Sequence, residues 1–301
     1  MEEQRSFIKG LVFRLVRKHI AGTTVNSVFK VSKELNNKNV QTAITFLSES
    51  PKDNTKIRYN LNTYLQVIKQ MARLRINGSV SIRCSQLGIN SDIDMFMRNM
   101  DAMLNTATQA NVPIWVEYEY GVDHNKIINI YNTYRSKKLN IGIELPIKDA
   151  DINSISKKIT NNSKIKLLNH SYERNRLPKS KTKIDIIQKY IEIIDSMSSR
   201  GMEIWISEPE EKDIYRFVNK AKKYKSNLVF EIPLGYSRKW LAKLNKLKVN
   251  LSVYAPYGKD WVPYAIDRLT EGRIRRLAIT LLDGKSVPGE VNDKKRILTK
   301  K

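Results

Sequence analysis

Eight short apolar segments rich in β-branched residues recur along the chain of 301 residues, separated by segments whose apolar residues are spaced three and four apart. The strand-like segments are VQTAITFL from Val40, SVSIRCSQ from Ser79, PIWVEYEY from Pro113, LNIGIEL from Leu139, KIKLLNH from Lys164, MEIWISE from Met202, NLVFEIPL from Asn227 and VNLSVYAP from Val249. The alternation, without hairpin-type turns, indicates parallel strands joined by helical crossovers. It predicts an α/β fold, a closed (β/α)8 barrel of the TIM type. An open doubly wound sheet is the alternative, disfavoured because no GxGxxG or GxxxxGK[ST] motif follows a strand.

This interpretation divides the chain into three parts. Residues 1–38 form a helical lead-in, with Thr24 as the expected N-cap of a helix. Residues 39–282 form the barrel. Residues 283–301 are polar and basic and contain Gly284, Pro288 and Gly289, so we expect a disordered tail.

The net charge of +24 predicts a general attraction to polyanions. The basic residues are scattered through most of the predicted helices instead of being gathered on one face with exposed aromatic residues, so specific nucleic-acid binding is not expected. It stays a hypothesis that rests on charge alone. Neither a membrane span nor a secretory signal is expected, since no run of about eighteen uncharged apolar residues occurs.

Cysteine and histidine are scarce in this chain. The single cysteine, Cys84, excludes an internal disulfide framework, and three histidines leave little material for a metal site. We therefore expect a protein without a bound metal in a reducing cytoplasm, either free or at the periphery of the membrane.

Polar residues stand inside or at the carboxyl ends of the predicted strands, where burial is costly without a partner. Arg83 on the second strand and Glu117 on the third are at similar heights on adjacent strands, which predicts a buried ion pair. Such a pair can serve either catalysis or stability, and the sequence leaves both interpretations open. The other polar residues of this kind are Gln86, Glu119, Glu144, Asn169, His170, Glu208, Glu231 and Tyr254.

The segment YAPYGKDWVPYAIDRLTE, from Tyr254 to Glu271, combines a strand end, a Pro-Gly turn and a short predicted helix. Tyr264, Arg268 and Glu271 are spaced four and three apart, so they share one helical face just beyond a strand's carboxyl end. The face offers a guanidinium for a substrate carboxylate, a carboxylate that orients the guanidinium, and a phenol ring as a wall. The alternative is a surface helix with an ordinary ion pair.

Several of these segments, taken in order, resemble motifs of the proline dehydrogenase family. The helical lead-in runs into a strand that ends in Leu47-Ser48-Glu49, where the family has Leu-Gly-Glu. The segment SIRCSQLG, 81–88, is similar to the family's S-V-K-L-T/S-Q-L-G strand, and VEYE, 116–119, is similar to I-D-M-E. The segment 254–271 resembles the closing motif Y-x-P-Y-G-x-x-W-x-P-Y-x-x-R-R-L-x-E. The resemblance extends from about Phe13 to Glu271, nearly the whole chain.

The resemblance implies a barrel that binds FAD and oxidises L-proline, or a related cyclic amino acid, to 1-pyrroline-5-carboxylate by hydride transfer to the flavin. It further implies an electron acceptor such as a quinone and handover of the product to a pyrroline-5-carboxylate dehydrogenase. Residue by residue, it implies Arg83 and Glu117 as catalytic residues, Tyr254, Tyr264, Arg268, Glu271 and Tyr172 as substrate-binding residues, and Lys166, Asn169, His170 and Glu231 as cofactor-binding residues.

The chain departs from the family pattern mainly on the flavin side. Lys166 replaces a flavin-facing arginine, and Pro146 replaces the glutamine of the fourth strand. Glu208 and Glu231 bring carboxylates to the cofactor cavity, and Asp267 replaces one of two adjacent arginines on the substrate side. These changes favour a second hypothesis, in which the barrel has lost FAD and serves as a non-catalytic binding or structural protein.

Overall fold

The structure, a computed structural model, describes residues 17–119, 121–137, 139–147, 152–169, 186–209, 211–220, 228–235, 241, 244 and 246–264. The predicted tail, 283–301, and the first sixteen residues of the lead-in lie outside this described part.

Eight parallel strands form one closed barrel in chain order, which confirms the predicted fold class. The strands are β1 Gln41–Phe46, β2 Gly78–Ile82, β3 Ile114–Val116, β4 Ile141–Pro146, β5 Lys164–Leu168, β6 Glu203–Ser207, β7 Leu228–Pro233 and β8 Asn250–Tyr257. The barrel closes where β1 pairs with β8, from Gln41 opposite Ser252 to Phe46 opposite Tyr257.

Helices lie on the outside of the barrel, one before β1 and the others between strands. They are α1 Val25–Asn36, α2 Asn54–Arg73, α3 Ile93–Gln109, α4 His124–Ser136, α5 Ile152–Lys157, α6 Ile186–Ser198 and α7 Glu211–Lys220, with 3-10 turns at Arg17–His19 and Cys84–Leu87. No helix in the ranges described is long and apolar enough to cross a membrane.

The lead-in helix α1 begins as the sequence predicts. The Thr24 side chain accepts a hydrogen bond from the Ser27 amide, and the Ser27 hydroxyl oxygen accepts one from the Thr24 amide. This reciprocal pair satisfies two amides at the start of the helix. The residues before α1 contact the end of β8, because the Ala21 amide donates to the Pro256 carbonyl over 2.7 Å. The lead-in is thereby fixed to the last strand of the barrel.

The main apolar core lies between the strands and the helices. In α2, for example, Ile57, Tyr64, Val67, Ile68 and Met71 repeat at intervals of three, four and seven residues, and all five are buried. Burying each side chain of this size contributes about 1.5–3 kcal/mol before conformational entropy is subtracted. The outer face of the barrel is therefore held by helix packing of the ordinary kind.

The inside of the barrel is a separate and more polar layer. Trp115, Trp205 and Val229 form an apolar cluster of their own, apart from the main core. Lys166 on β5 contacts Glu144 on β4 and Glu231 on β7, and since β5 and β7 are not neighbours these side chains meet across the barrel interior. Alternate residues of each strand point inward, and Glu144, Lys166 and Glu231 share this interior.

Strand β3 is shorter than the sequence predicts. The apolar segment extends from Pro113 to Tyr120, yet only Ile114–Val116 form the strand. Beyond Glu117 the side chains take other partners: the Tyr118 ring stacks on His124 at 4.1 Å between centroids, and the Glu119 carboxylate accepts from the Ser85 amide. The chain therefore turns toward α4, and the contact of Glu119 with Ser85 keeps it near the end of β2.

Candidate active site

An ion pair joins the carboxyl ends of β2 and β3, as predicted. The Arg83 Nε–H donates to Glu117 Oε2 over 3.0 Å. The Glu117 side chain is 3% exposed and that of Arg83 is 20% exposed. Because the Glu117 amide also donates to the Ile82 carbonyl, the backbone pairing of β2 with β3 continues up to this carboxylate. The pair is set on rigid strands, and its guanidinium side reaches solvent.

The second oxygen of Glu117 is bound from two further strands. Glu117 Oε1 accepts from the Thr45 hydroxyl and from the Tyr254 hydroxyl, each over 2.8 Å. Residues of β1, β8 and the end of β2 thus converge on one buried carboxylate. Three hydrogen bonds hold the carboxylate in a single orientation, which fixes Arg83 and Tyr254 relative to each other.

Tyr254 and Tyr264 lie side by side, with ring centroids 6.2 Å apart and planes inclined by 39°. Tyr264 is the last described residue of a helical stretch that begins at 262, and both tyrosines are buried. The structure therefore brings two of the predicted substrate-binding tyrosines next to the Glu117 cluster. Arg268, Glu271 and Tyr172 of the same prediction, and the predicted cofactor residue His170, lie outside the described residues.

A layer of neutral side chains supports Arg83 from behind. The Tyr64 hydroxyl donates to Gln86 Oε1 and accepts from the Arg83 amide over 3.4 Å. The Gln86 amide nitrogen donates to the carbonyls of Phe46 and Ser48. Burial, and then the charge of Glu117, raise the pKa of Tyr64, so this phenol stays protonated. Sequence reasoning missed Tyr64 because it lies on α2, where its spacing from the other apolar residues is that of an ordinary core residue.

Lys166 is buried beneath the mouth and bound on several sides. Its ammonium is 3.2 Å from Glu144 Oε1 and 3.0 Å from Glu231 Oε1, and its side chain is 0% exposed. The indole rings of Trp115 and Trp205 lie 4.7 Å and 5.7 Å from the same nitrogen. Two carboxylates and two aromatic faces satisfy a charge that would otherwise be too costly to bury. We call Glu144, Lys166 and Glu231 the buried triad.

The protonation of the buried triad follows from burial. Burial raises the pKa of Glu144 to about 8, against the lowering effect of Lys166, and the charges of Glu117 and Glu231 add to the increase. The pKa of Glu231 is also raised, by burial, although Lys166 and a hydrogen bond from Ser207 oppose the shift. Burial lowers the pKa of Lys166, but Glu231 and Glu144 outweigh it and the net shift is upward. At neutral pH we therefore assign a proton to both Glu144 and Lys166.

Asn169 and Glu208 lie at the carboxyl ends of β5 and β6. The Asn169 side-chain amide donates to the Glu208 carbonyl over 3.3 Å, and both residues are buried. Glu208 has a φ of 54°, in the left-handed region, and its amide donates to the Glu231 carbonyl over 2.8 Å. Of the predicted cofactor-binding residues, the structure thus places Lys166 and Glu231 in direct contact and Asn169 above them.

Comparison with known proteins gives a consistent picture. No family model matches the chain. It is 25% identical over 261 residues to proline dehydrogenase 2 of Bacillus subtilis, covering 84% of this chain and 85% of that protein. It is 22% identical over 272 residues to proline dehydrogenase 1 of the same organism, covering 88% and 89%.

Solved structures share the fold. The chain superposes on proline utilization A from Bdellovibrio bacteriovorus with a TM-score of 0.71 and 14% identity, and on that from Corynebacterium freiburgense with 0.68 and 15%. The two superpositions cover 93% and 94% of this chain. This chain spans only 35% of each of those longer proteins. At this identity the superposition supports the barrel architecture alone.

Three observations point the same way. The motifs follow one another along the chain in the order of the resembling family, the barrel is closed, and the sequence similarity to the two Bacillus proteins covers most of both chains. These findings identify the chain as a divergent relative of the proline dehydrogenase family.

Proposed function

We propose that this protein oxidises L-proline, or a closely related cyclic amino acid, to the cyclic imine at the carboxyl-end mouth of its barrel. The observation that carries the proposal is the convergence of Arg83, Tyr254 and Thr45 on the Glu117 carboxylate, beside Tyr264. Such an oxidation removes a hydride from the ring carbon beside nitrogen and a proton from the amine, and a bound flavin would supply the hydride acceptor. The proposed acceptor is FAD, which would pass its electrons to an acceptor such as a quinone.

The described residues at the mouth have two tasks in the proposed site. Arg83 presents a part-exposed guanidinium whose direction is fixed by Glu117, and a cation held in this way suits a zwitterionic amino acid. Tyr254 and Tyr264 supply flat aromatic surfaces for a small ring. We assign Arg83 and Glu117 to orientation and charge at the reacting end of the substrate, and the two tyrosines to packing.

The substrate carboxylate requires a cation of its own. We propose Arg268 for this role, with Glu271 to orient it and Tyr172 as a further wall, in line with the predicted helical face. Handover of the product to a pyrroline-5-carboxylate dehydrogenase belongs to the same proposal, because a cyclic imine is prone to hydrolysis.

The described residues do not fit the flavin as well as they fit the amino acid. A flavin ring is stabilised by positive charge or donors near its N1 edge. Lys166 stands at the position implied for this contact, but the two carboxylates of the buried triad already bind its ammonium and no part of it is exposed. Asn169 is hydrogen bonded to the Glu208 carbonyl, and Glu231 is fully buried. We therefore derive no step through the flavin.

This misfit favours a second candidate function, a barrel that binds a cyclic amino acid without oxidising it. The hydrogen bonds that converge on Glu117 suit binding as well as catalysis, and the buried triad suits a role in stability. The two candidates differ in one property, which is whether the purified protein takes up FAD.

A flavin titration followed by anaerobic addition of L-proline separates the candidates. Oxidation predicts a yellow protein whose colour is bleached by L-proline and not by D-proline. The binding function predicts no flavin uptake but a calorimetric signal with L-proline. If neither FAD nor L-proline binds, both candidates are rejected.

Variants place the binding event at the proposed site. Arg83→Gln and Arg268→Ala are expected to abolish the response to L-proline, whether it is read as bleaching or as heat. Arg73→Gln is the matched control, since Arg73 is an exposed residue in the last turn of α2. An unchanged response of the Arg83 and Arg268 variants contradicts the assignment of the mouth.

A further inference from the structure

A second pocket opens at the amino-terminal end of the barrel, opposite the candidate active site. Residues at or near the starts of seven consecutive strands line it, from Gln41 at the start of β1 to Val229 in β7. Its volume is about 350 Å³, which is in the lower range of small-molecule sites. Neither proposed function uses this pocket, so its role is a separate question.

The described residues that line this pocket are mostly polar and together carry no net charge. Its only charged members among the described residues are Lys164 and Glu203, which form an ion pair with 3.1 Å between Nζ and Oε2. Side-chain amides and a hydroxyl supply most of the other polar groups: Gln41, Asn77, Ser79, Asn111 and Asn140. A charged ligand finds no free counter-charge in such a lining, whereas an uncharged polar ligand finds both donors and acceptors.

Three polar atoms in the lining have no hydrogen-bond partner within the described part of the chain. They are Trp115 Nε1, Ser79 Oγ and Asn140 Oδ1, each with its own surface closed to solvent. Trp115 is 1% exposed and Ser79 is 2% exposed. Buried polar groups are normally paired, so these three atoms in the pocket wall indicate a partner beyond the described side chains. The indole needs an acceptor, the amide oxygen needs a donor, and the hydroxyl takes either.

The inner end of the pocket is aromatic. Trp115 and Trp205 pack with their ring centroids 4.8 Å apart, and Trp205 Nε1 donates to Glu203 Oε1 over 2.9 Å. Both rings also contact Lys166, so the indole pair lies between this pocket and the buried triad. Gly142 permits the arrangement, because a Cβ at this position would collide with the Trp115 ring. The pocket is thus separated from the carboxyl-end mouth by packed side chains.

We propose that the amino-terminal pocket binds a small uncharged polyhydroxylated molecule, of the sugar or sugar-alcohol class. A hydroxyl group donates and accepts at once, which matches the mixed needs of Trp115, Ser79 and Asn140. Several hydroxyls on a short carbon frame can reach these groups together, while the frame's C–H surface packs against the edge of the indole pair. The ion pair of Lys164 and Glu203 supplies further hydrogen-bonding groups without a net charge.

Saturation-transfer NMR on the full chain, with D-glucose and D-sorbitol as probes, tests the proposal. A saturable signal with at least one probe is expected, and sodium acetate and tetramethylammonium chloride serve as charged comparisons that give none. Absence of a saturable signal with both polyols overturns the proposal, and so does binding of the charged probes alone. These results are independent of FAD and L-proline binding, so a failed proline site leaves them unaffected.

Two variants place the probe in the pocket. Trp115→Phe removes the indole N–H and Ser79→Ala removes the hydroxyl; each is expected to weaken binding about tenfold, the loss of roughly one hydrogen bond. Ser79→Ala is the safer variant if Trp115→Phe impairs folding. Ser252→Ala is the matched control, a buried strand serine outside the pocket lining, and it should leave the affinity unchanged. Equal affinity in the Ser79 and Ser252 variants overturns the assignment of the site.

Discussion

The Lys166 ammonium lies 3.0 Å from Glu231 Oε1, and neither side chain has any exposed surface. This contact joins β5 to β7 across the barrel, and Glu144 on β4 completes it from the other side. The position that the family resemblance assigns to a flavin contact is therefore occupied by an internal ion cluster. The chain thus has the barrel and the Glu117 cluster together with a different arrangement at the centre of the barrel.

Replacing Lys166 by methionine should lower the free energy of unfolding by about 3 kcal/mol, because removal of the cation leaves the buried Glu231 carboxylate without its counter-charge. Urea denaturation measures the change. Lys164→Met is the matched control: Lys164 pairs with Glu203, but both side chains are partly exposed, and such pairs contribute at most about 1 kcal/mol. Equal effects of the two substitutions would show that Lys166 is not the structural cation described above.

Glu144 should make the protein less stable as the pH rises from about 5 to 8. Its pKa is about 8 in the folded chain, against an ordinary value of 4.5. Across this window the unfolded chain has lost the proton and the folded chain retains it, so stability is greatest below the ordinary value and falls by at most about 1.4 kcal/mol per pH unit. Glu144→Gln should flatten the fall.

Thermal or urea unfolding of both proteins at several pH values measures this difference. Glu231 and Glu119, whose pKa values are also raised, contribute to both curves, so the comparison isolates Glu144. Parallel curves for the two proteins contradict the assignment of a proton to Glu144.

Tyr254→Phe should remove the 2.8 Å hydrogen bond to Glu117 without changing the ring. We expect the free energy of unfolding to fall by about 1 kcal/mol and the response to L-proline to weaken about tenfold, because the carboxylate loses one of the three hydrogen bonds that fix its orientation. Denaturation and L-proline titration measure the two effects. Tyr59→Phe is the control, since Tyr59 is 53% exposed, and it should change neither. A stability loss with an unchanged L-proline response limits Tyr254 to a structural role.

Gly142→Ala should destabilise the barrel by about 1–3 kcal/mol, the usual cost of overpacking, because the new methyl group meets the Trp115 ring. The displaced indole should also weaken the contact with Lys166. Near-ultraviolet circular dichroism reports the tryptophan environment and denaturation reports stability. A variant with wild-type values in both would show that Trp115 has room to move.

The sequence was sufficient for the architecture and for one contact of the site. The alternation of strands and helices predicts the barrel, and neighbouring positions on adjacent strands predict the pair of Arg83 with Glu117, because both follow from local periodicity. The buried triad joins β4, β5 and β7, and its tryptophans come from β3 and β6. Contacts between strands that are not neighbours depend on the tilt and stagger of the closed barrel, which local patterns do not encode.

Lys166 shows the same limit most clearly. A lysine within an apolar strand reads equally well as a ligand contact or as a buried ion, and only the partners decide between them. Thr45 and Tyr64 escaped notice for the opposite reason, since a threonine in a strand and a tyrosine in a helix are common where no site exists. Their roles follow from the Glu117 carboxylate and the Gln86 side chain that they contact.

The pairing of β1 with β8 has a consequence for biosynthesis. On the ribosome, the first strand emerges about two hundred residues before the partner that covers its free edge, so nascent chains carry exposed edges on β1 and on the newest strand. Such edges invite pairing with other polypeptides, and chaperone demand should peak just before β8 emerges. The hydrogen bond from Ala21 to Pro256 joins the lead-in to β8, so this contact forms only after the last strand has been synthesised.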